Sequence, residues 1–346
     1  MAFAAIHGAI LGTVVGDAMG LPYEALSARR GARLLGAPER HRFLLGRGMM
    51  SDDGEHACMT AQALAESGFD VGRFQRKLAW KLRWWLLGVP AGIGGATLRA
   101  TMKLWLGVPA ARSGVFSAGN GPAMRAAVLG VATRTMEELR ELVRASTLVT
   151  HTDPKAFYGA WAVALAARCA GEGKSAAAFL EVIRAAFEGE GREVMELVEK
   201  AVASAGRGEA TKQFAAAMGW ERGISGYVLH TAAAAIHAWA EHSGDYRAAV
   251  MGAIACGGDT DTVAAIVGGI VGSGVGVEAI PLEWREGLLE WPRTLAWIER
   301  LARAVEAAHE GKAVRAPRVG PVVVVRNGMF LAGVLGHLGR RALPPY

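Results

Sequence analysis

The feature that most constrains the fold of this chain is a glycine at every fourth position in two separate segments. The glycines are Gly8, Gly12, Gly16 and Gly20 in the first segment and Gly268, Gly272 and Gly276 in the second. Residues four apart lie on the same face of a helix, so each segment would have one face without side chains. Glycine inside a helix costs roughly 1 kcal/mol relative to alanine, so such a stripe usually has a packing reason. We therefore predict that the two segments pack closely; the alternative is that they only reflect a composition rich in alanine and glycine.

The rest of the chain also has the spacing of helices rather than of strands. Apolar residues recur at helical intervals in most segments. The clearest predicted helices are 57–67, 71–87, 135–149, 154–170, 193–204, 227–240 and 281–308. Only Val322–Val325 has the β-branched composition of a strand, and one short run cannot make a sheet. The sequence therefore predicts an all-α protein.

The chain is predicted to form one large domain with an extension. Its 346 residues contain no linker or low-complexity tract between two halves, which favours a single domain over residues 1–310. Hydrophobic residues make up 52% of the sequence and charged residues 20%, which argues against extensive disorder. Residues 311–346 differ in character and are predicted to be a C-terminal extension, either an arm packed on the domain or a contact for a partner.

Composition also bears on the compartment and on the classes of partner. Cys58, Cys169 and Cys256 are too few and too scattered for a disulfide scaffold and suit a reducing cytosol. Glycines interrupt the apolar N-terminus, unlike in a signal peptide. The most membrane-like stretches, Val263–Val277 and Gly328–Leu338, are shorter than the roughly 18–20 residues of a spanning helix. Since the net charge of +6 comes without a run of basic and aromatic residues, we expect a cytoplasmic protein with no membrane and no specific nucleic-acid binding.

Two acidic segments, Ser51–Asp53 and Asp259–Thr262, carry the candidate metal ligands. Carboxylate and hydroxyl oxygens are hard donors that suit Mg²⁺, Mn²⁺ or Ca²⁺. Either segment alone could instead be a helix N-cap, where Ser and Asp are common. Four aspartates brought together would repel one another unless cations neutralised them, so the two segments together favour a dinuclear site. Close packing of the glycine stripes would place Asp17 and Glu24 beside that site.

Five motifs occur in the order expected of ADP-ribosylglycohydrolases, and the chain resembles this family over roughly residues 5–305. The motifs are GAILGTVVGDAMGLPYE (8–24), SDDGEHACMTAQAL (51–64), GNGPAMRAAVLG (119–130), HTDP (151–154) and GGDTDTVAAIVGGIVG (257–272). The family includes ADP-ribosylarginine hydrolases and dinitrogenase reductase-activating glycohydrolases. The resemblance implies a single-domain, all-α orthogonal helical bundle with a binuclear Mg²⁺ centre, in which Mn²⁺ is possible.

The resemblance also implies roles for particular residues. The implied metal ligands are Ser51, Asp52, Asp53, Asp259, Asp261 and Thr262. The candidates for activating or positioning the attacking water are Glu24, Asp52 and Asp53. The implied contacts with the substrate are Gly119, Asn120, Gly121, Met124, Arg125 and His151. Tyr227 is a further candidate, as a stacking partner for adenine.

Each substrate contact has a simpler interpretation. Gly119–Gly121 could be only a turn, because Asn and Gly tolerate positive φ. His151 could merely precede a helix cap, and Tyr227 could be a core residue. Gly92–Gly95 is another candidate ligand loop, because glycine-rich loops can cradle phosphate through backbone amides.

The implied reaction is hydrolysis at the anomeric carbon of ADP-ribose attached to a protein or a small molecule, through an oxocarbenium-like transition state. The leaving group (arginine, serine, another residue or acetate), the choice of Mg²⁺ or Mn²⁺ and the oligomeric state stay open. Gly54 departs from the family, many of whose members have threonine there, and a lost outer-shell hydroxyl can cost roughly 10–100-fold in metal affinity or activity. The alternatives are a dinuclear-metal phosphohydrolase and a non-catalytic ADP-ribose-binding or structural relative, which Gly54 favours.

Overall fold

The computed structural model describes residues 2–342 and consists almost entirely of helices. The helices are α1 (Ala2–Gly20), α2 (Ala28–Leu35), α3 (Asp52–Ser67), α4 (Val71–Leu86), α5 (Gly95–Trp105), α6 (Ala127–Ala132), α7 (Met136–Leu148), α8 (Pro154–Gly171), α9 (Ala176–Phe187), α10 (Arg192–Gly206), α11 (Thr211–Ala217), α12 (Val228–Glu241), α13 (Tyr246–Ile254), α14 (Thr260–Val275), α15 (Leu282–Glu286), α16 (Leu295–His309) and α17 (Val323–Arg341). Two short strands, β1 (Leu26–Ser27) and β2 (Gly257–Gly258), pair antiparallel. The predicted all-α class is therefore confirmed.

Helices α1 and α14 form an antiparallel pair at the centre of the fold, with their backbones in direct contact. A Cβ atom added to any glycine of the first stripe would lie 2.0–2.3 Å from a carbonyl oxygen of α14. From Gly8 to Gly20, the four facing carbonyls belong to Gly272, Gly268, Ala264 and Thr260. The predicted close packing is therefore confirmed. Gly276 instead ends α14, with a positive φ of 75°.

Most predicted helices are found within a residue or two of their expected ends, but the helix predicted over 281–308 is wrong. This segment forms α15 and α16, separated by residues 287–294. Pro292 lies in the break, where its ring prevents a helix from continuing. Thr294 then caps α16 by accepting a hydrogen bond from the backbone N–H of Trp297 at 3.2 Å. The break turns Glu290 and Arg293 into the interior, where they are 8% and 5% exposed.

The strand predicted at Val322–Val325 is also wrong, because α17 begins at Val323. Valine favours strands, but packing against the rest of the protein overrides this preference. Arg326 and Phe330 on α17 are buried. Phe330 belongs to a small apolar cluster, separate from the main core, whose other buried members are Leu21, Phe43 and Met49. Helix α17 thus packs beside the chain segments that lead into Glu24 and into the first acidic segment.

Within residues 2–342, the one segment long and apolar enough to cross a membrane is Phe3–Tyr23, with a mean hydropathy of 1.4. The helix α1 makes up most of it. Of its most apolar window, 89% is buried inside the protein, as in the core helix of a globular fold. Cys58, Cys169 and Cys256 are buried and unpaired.

Candidate active site

A cleft of about 460 Å³ opens where α1 ends and α14 begins. Its volume is typical of small-molecule sites, which span about 300–1,000 Å³. The predicted site residues in its lining are Glu24, Asp52, Asp53, Gly119, Asn120, Gly121, Met124, His151, Asp259, Asp261 and Thr262. The candidate loop Gly92–Gly95 also reaches the cleft, through Gly92, Gly94 and Gly95. The fold therefore brings both acidic segments and the two glycine-containing loops to one place.

The first acidic segment forms the N-terminus of α3. The Ser51 hydroxyl accepts a hydrogen bond from the Asp53 backbone N–H at 3.3 Å and donates one to Asp53 Oδ2 at 3.1 Å. Ser51 is therefore a helix cap, as the simpler interpretation had it. It does not line the cleft, but it holds Asp53, which does. Asp53 is 1% exposed, and its Oδ1 atom has no hydrogen-bond partner among the described residues.

Asp17 supports this segment from α1, as predicted from the glycine stripes. Its Oδ2 atom accepts hydrogen bonds from the backbone N–H groups of Ser51 and Gly54, both at 2.8 Å. A Cβ atom at Gly54 would lie 2.9 Å from Met50 Cβ and 3.0 Å from Asp17 Oδ2. The space for a side chain at position 54 is therefore filled by Met50 and the Asp17 carboxylate, which gives Gly54 a packing reason.

The second acidic segment meets the first directly. The Thr262 hydroxyl donates a hydrogen bond to Asp53 Oδ2 at 3.3 Å, across 209 residues of sequence. Asp259 stands at the cap position of α14, but its side chain makes no capping hydrogen bond. Instead, its Oδ2 atom accepts a hydrogen bond from the Asn120 side chain at 2.6 Å. The simple helix-cap interpretation therefore fails for Asp259, whose carboxylate points to the loop Gly119–Gly121, which we call the substrate loop after its predicted role.

Asp52, Asp53, Asp261 and Glu24 in the cleft have raised pKa values, so they hold protons more tightly than ordinary carboxylates. Burial raises the pKa values of Asp52, Asp53 and Asp261 well above their usual range, and neighbouring carboxylates raise them further. Burial also raises the pKa of Asp17 to about 7, and that of Glu24 in the same direction. Bound cations would displace these protons and stabilise the ionised forms.

The donor set has the chemistry of a divalent-cation site. It combines carboxylates with the hydroxyls of Ser51 and Thr262, and all of these are oxygen ligands of the kind that Mg²⁺ and Mn²⁺ prefer. The unpartnered, buried Oδ1 atom of Asp53 is the kind of atom that a cation would satisfy. Over residues 2–342, however, no three His, Cys, Asp or Glu side chains are arranged as a ready-made cluster for one ion. The identity of the ligands therefore stays a prediction, supported by the donor chemistry.

The loop Gly119–Gly121 is shaped by His151. A Cβ atom on Gly119 or on Gly121 would lie 3.0 Å from the imidazole ring. The backbone N–H of Asn120 donates to Gly226 O at 3.1 Å, so the loop is also tied to the segment before α12. Asn120 Nδ2 hydrogen-bonds to the Thr231 hydroxyl as well as to Asp259. These contacts fix the Asn120 side chain and tie its loop to the second acidic segment.

Two predicted substrate contacts do not lie in the lining of the cleft. Arg125 is fully buried, and its guanidinium hydrogen-bonds to Ser146 and Thr150, so it lies behind the cleft rather than in its lining. Tyr227 is half-buried, and its hydroxyl accepts a hydrogen bond from Lys155 Nζ at 3.2 Å. The cleft is lined next to it by Gly226 instead. Direct contacts of Arg125 and Tyr227 with a substrate therefore stay predictions that the lining of the cleft does not support.

Sequence reasoning missed a buried charge network behind the first acidic segment. Glu290 accepts a hydrogen bond from the Met50 backbone N–H at 2.7 Å, and Arg326 donates one to Met50 O at 2.5 Å. Arg326 also pairs with Glu290, and Arg293 pairs with Glu55 at 2.6 Å. The one available signal was Glu55 itself, a further charged residue in the first turn of α3. Its cationic partners, Arg293 and Arg326, are more than 200 residues away in sequence, where no local pattern could identify them.

Comparisons with known proteins agree with this architecture. The sequence model of the family described as ADP-ribosylglycohydrolase matches residues 2–314. An uncharacterized protein of Archaeoglobus fulgidus is 31% identical over 308 residues, which cover 87% of this chain and 95% of that protein. A solved structure, of an ADP-ribosylglycohydrolase-related protein complex, matches with a TM-score of 0.66 and 27% identity, over 89% of this chain and 99% of that one. With a family match over nearly the whole chain and a fold match of similar extent, this chain belongs to the ADP-ribosylglycohydrolase family.

Proposed function

We propose that the protein is a divalent-metal-dependent hydrolase that cleaves the bond at the anomeric carbon of ADP-ribose. It would release ADP-ribose from a modified protein or from a small molecule such as O-acetyl-ADP-ribose. The observation that carries the proposal is the meeting of two distant acidic segments at one cleft, with Thr262 Oγ1 3.3 Å from Asp53 Oδ2. Family membership supports it, because the family is generally one of hydrolases that act on ADP-ribosylated substrates.

The metal centre follows from the donor set. Two Mg²⁺ ions, or Mn²⁺ ions, would be held by Ser51, Asp52, Asp53, Asp259, Asp261 and Thr262. When bound, such ions lower the pKa of water and orient hydroxyl groups of the substrate. Ser51 and Thr262 both hydrogen-bond to Asp53, so they fix the orientation of that carboxylate.

The cleft carboxylates are suited to accept a proton from the attacking water. Glu24 and Asp52 line the cleft and are partly exposed, so a water molecule can reach them. Burial raises the pKa values of both groups above their ordinary range, and a higher pKa makes the ionised carboxylate a stronger base. As the water oxygen bonds to the anomeric carbon, its proton passes to the carboxylate. The bond from that carbon to the leaving group breaks as the bond to the water oxygen forms, and the leaving group keeps the electron pair and takes up a proton.

Asn120 and His151 are positioned to hold the ADP-ribose. Both line the cleft, and glycines on either side of Asn120 leave the backbone accessible to a ligand. Since Asn120 donates a hydrogen bond to Asp259, the loop that would embrace the sugar is tied to the acidic segment that would bind metal. This connection would couple the position of the ribose to that of the ions.

An activity panel tests the proposal. ADP-ribosyl-arginine, ADP-ribosyl-serine and O-acetyl-ADP-ribose are each incubated with the protein in Mg²⁺, Mn²⁺ or EDTA, and products are separated by chromatography. We expect free ADP-ribose from at least one substrate, with loss of turnover in EDTA and in Asp53→Asn. Glu278→Gln removes one negative charge at an exposed site outside the cleft and should retain activity. Release of AMP or phosphate would indicate a phosphohydrolase instead. Tight ADP-ribose binding without turnover in either metal would identify a non-catalytic binder and refute the proposal.

A further inference from the structure

Arg125 is a buried cation that the proposed mechanism does not use. Its side chain is fully buried, and it makes no ion pair within the described part of the chain. The guanidinium donates to Ser146 Oγ at 3.0 Å and to Ser146 O at 2.9 Å. It also contacts Thr150 Oγ1 at 2.7 Å and His56 Nδ1 at 3.2 Å. A guanidinium has five N–H donors and no acceptor, so each of these atoms must accept from it.

Because Arg125 can only donate, it also constrains His151 through the Thr150 hydroxyl. Thr150 Oγ1 accepts from Arg125 Nη2 and lies 2.9 Å from His151 Nδ1. Arg125 Nη2 and His151 Nδ1 are the two hydrogen-bond partners of the Thr150 hydroxyl among residues 2–342. The hydroxyl carries one hydrogen, and Arg125 cannot accept it, so Nδ1 is the acceptor that remains. If Nδ1 carried the proton and donated it to Oγ1, the buried hydroxyl hydrogen would have no acceptor, which is costly in a protein interior.

We infer that Arg125, acting through the Thr150 hydroxyl, fixes His151 in the tautomer that carries its proton on Nε2. Arg125 and Thr150 are thus positioning residues, and His151 becomes a permanent hydrogen-bond donor to the ligand. His151 lines the cleft, and its Nε2 atom lies beside the substrate loop, where a Cβ on Gly119 would be 3.0 Å away. A fixed N–H donor there selects ligands that present an acceptor, such as a phosphate or ribose oxygen.

The electrostatics keep the ring in its neutral form. Burial and the neighbouring charge of Arg125 lower the pKa of His151 to about 3. The ring therefore stays neutral at physiological pH, and its Nδ1 atom remains available as an acceptor. Arg125 acts in the same way on His56, whose Nδ1 atom also faces the guanidinium and whose ring packs edge-on against Trp85 at 4.6 Å. One donor-only side chain thus sets the tautomers of two histidines.

NMR of the free protein labelled with ¹⁵N-histidine measures the tautomer directly. Two-bond ¹H–¹⁵N correlations at pH 7 should show a protonated Nε2 and an unprotonated Nδ1 for His151, whose signals are assigned by their loss in His151→Gln. Thr150→Ser keeps the hydroxyl and should leave this pattern unchanged. Thr150→Val keeps the shape but removes the hydroxyl, so it should give a mixture of tautomers. The affinity for ADP-ribose should then fall in proportion to the remaining fraction of the Nε2–H tautomer, about twofold for an equal mixture.

Two results would overturn the inference. The first is a wild-type His151 that is protonated on Nδ1 or on both nitrogens, which needs no variant and so holds even if Thr150→Val fails to fold. The second is a folded Thr150→Val protein with the wild-type tautomer and the wild-type affinity. The inference relies on the proposed function only for the identity of the ligand. A clear Nε2–H signal in a protein that hydrolyses no substrate would refute the function and leave the positioning role intact.

Discussion

Replacing Gly12 with alanine should force the two central helices apart. The added Cβ atom would lie 2.1 Å from Gly268 O, whereas Cβ atoms in proteins essentially never come closer than 3.0 Å to such an atom. The helices must therefore separate by about 0.9 Å at this point. No side-chain rotation can relieve the contact, because the Cβ atom is bonded directly to Cα and Gly268 O is a backbone carbonyl oxygen. The hydrogen bond from the Tyr246 hydroxyl to Gly12 O, at 2.6 Å, would be disturbed as well.

The magnitude follows from these contacts. Overpacking a core costs about 1–3 kcal/mol, and a backbone-to-backbone clash belongs at the upper end of that range. Disturbing the Tyr246 hydrogen bond adds about 1 kcal/mol. The better helix propensity of alanine offsets about 1 kcal/mol. We therefore expect the free energy of unfolding of Gly12→Ala to fall by about 3 kcal/mol.

Urea unfolding followed by tryptophan fluorescence measures this change, and Gly328→Ala is the matched control. Gly328 lies on the exposed side of α17, and a Cβ atom added there would meet nothing within 4 Å. The same substitution should raise the free energy of unfolding there by up to about 1 kcal/mol. Because Asp17 and Asp261 lie on the two helices that separate, Gly12→Ala should also weaken Mg²⁺ binding about tenfold in calorimetry. If both variants changed stability by the same amount, the packing argument would be refuted.

Two further predictions concern buried charges. Arg326→Met should lower the free energy of unfolding by about 3–5 kcal/mol, because it leaves the buried Glu290 without its cation. Arg303→Met removes an exposed pair with Glu299 and a cation–π contact with Phe3, and it should cost less than about 1 kcal/mol in the same urea titration; equal losses would contradict this reasoning. His237 should make the protein less stable in acid, since burial lowers its pKa to about 4 from the ordinary 6.5. Between these pH values the unfolded chain binds a proton that the folded chain does not, so stability falls as the pH falls, by up to about 3 kcal/mol. His237→Gln should lose less stability than the wild type between pH 7 and pH 4.5, and parallel pH profiles would contradict the prediction.

The pairing of α1 with α14, and the acidic residues beside it, could be predicted because both helices carry glycine at every fourth position. Glycine is costly in helices, so its four-residue spacing indicated bare faces on both partners. When α1 and α14 pair antiparallel, Asp17 and Glu24 lie at the same end of the pair as the second acidic segment. Local sequence was therefore sufficient to place these acidic residues, without any knowledge of the loops between them.

Other features depend on contacts that no local pattern encodes. Arg125 lies in a motif next to the substrate loop, but its neighbours alone do not say whether it points into the cleft or behind it. The valines of α17 favour a strand, but the segment is helical and buries Arg326 and Phe330 against residues that are distant in sequence. The apolar spacing of residues 281–308 continues through residues 287–294, so the sequence predicted one helix there. In the structure this stretch is a break, in which Glu290 and Arg293 are turned inward to the buried charge network.

The network around Met50 and the contact between α1 and α14 join residues far apart in sequence, which limits how early the fold can form during synthesis. The hydrogen bond from Arg326 to Met50 spans 276 residues, and that from Thr260 to Gly20 spans 240. At a synthesis rate of about 5–20 residues per second, the N-terminal part waits roughly 12–48 s for the partner of α1 to emerge. During that time the apolar faces of α1 are open to chaperones or to other nascent chains. A ribosome-bound chain that has not yet reached residue 259 lacks Asp259, Asp261 and Thr262, so the cleft cannot be complete before about three-quarters of these 346 residues have been made.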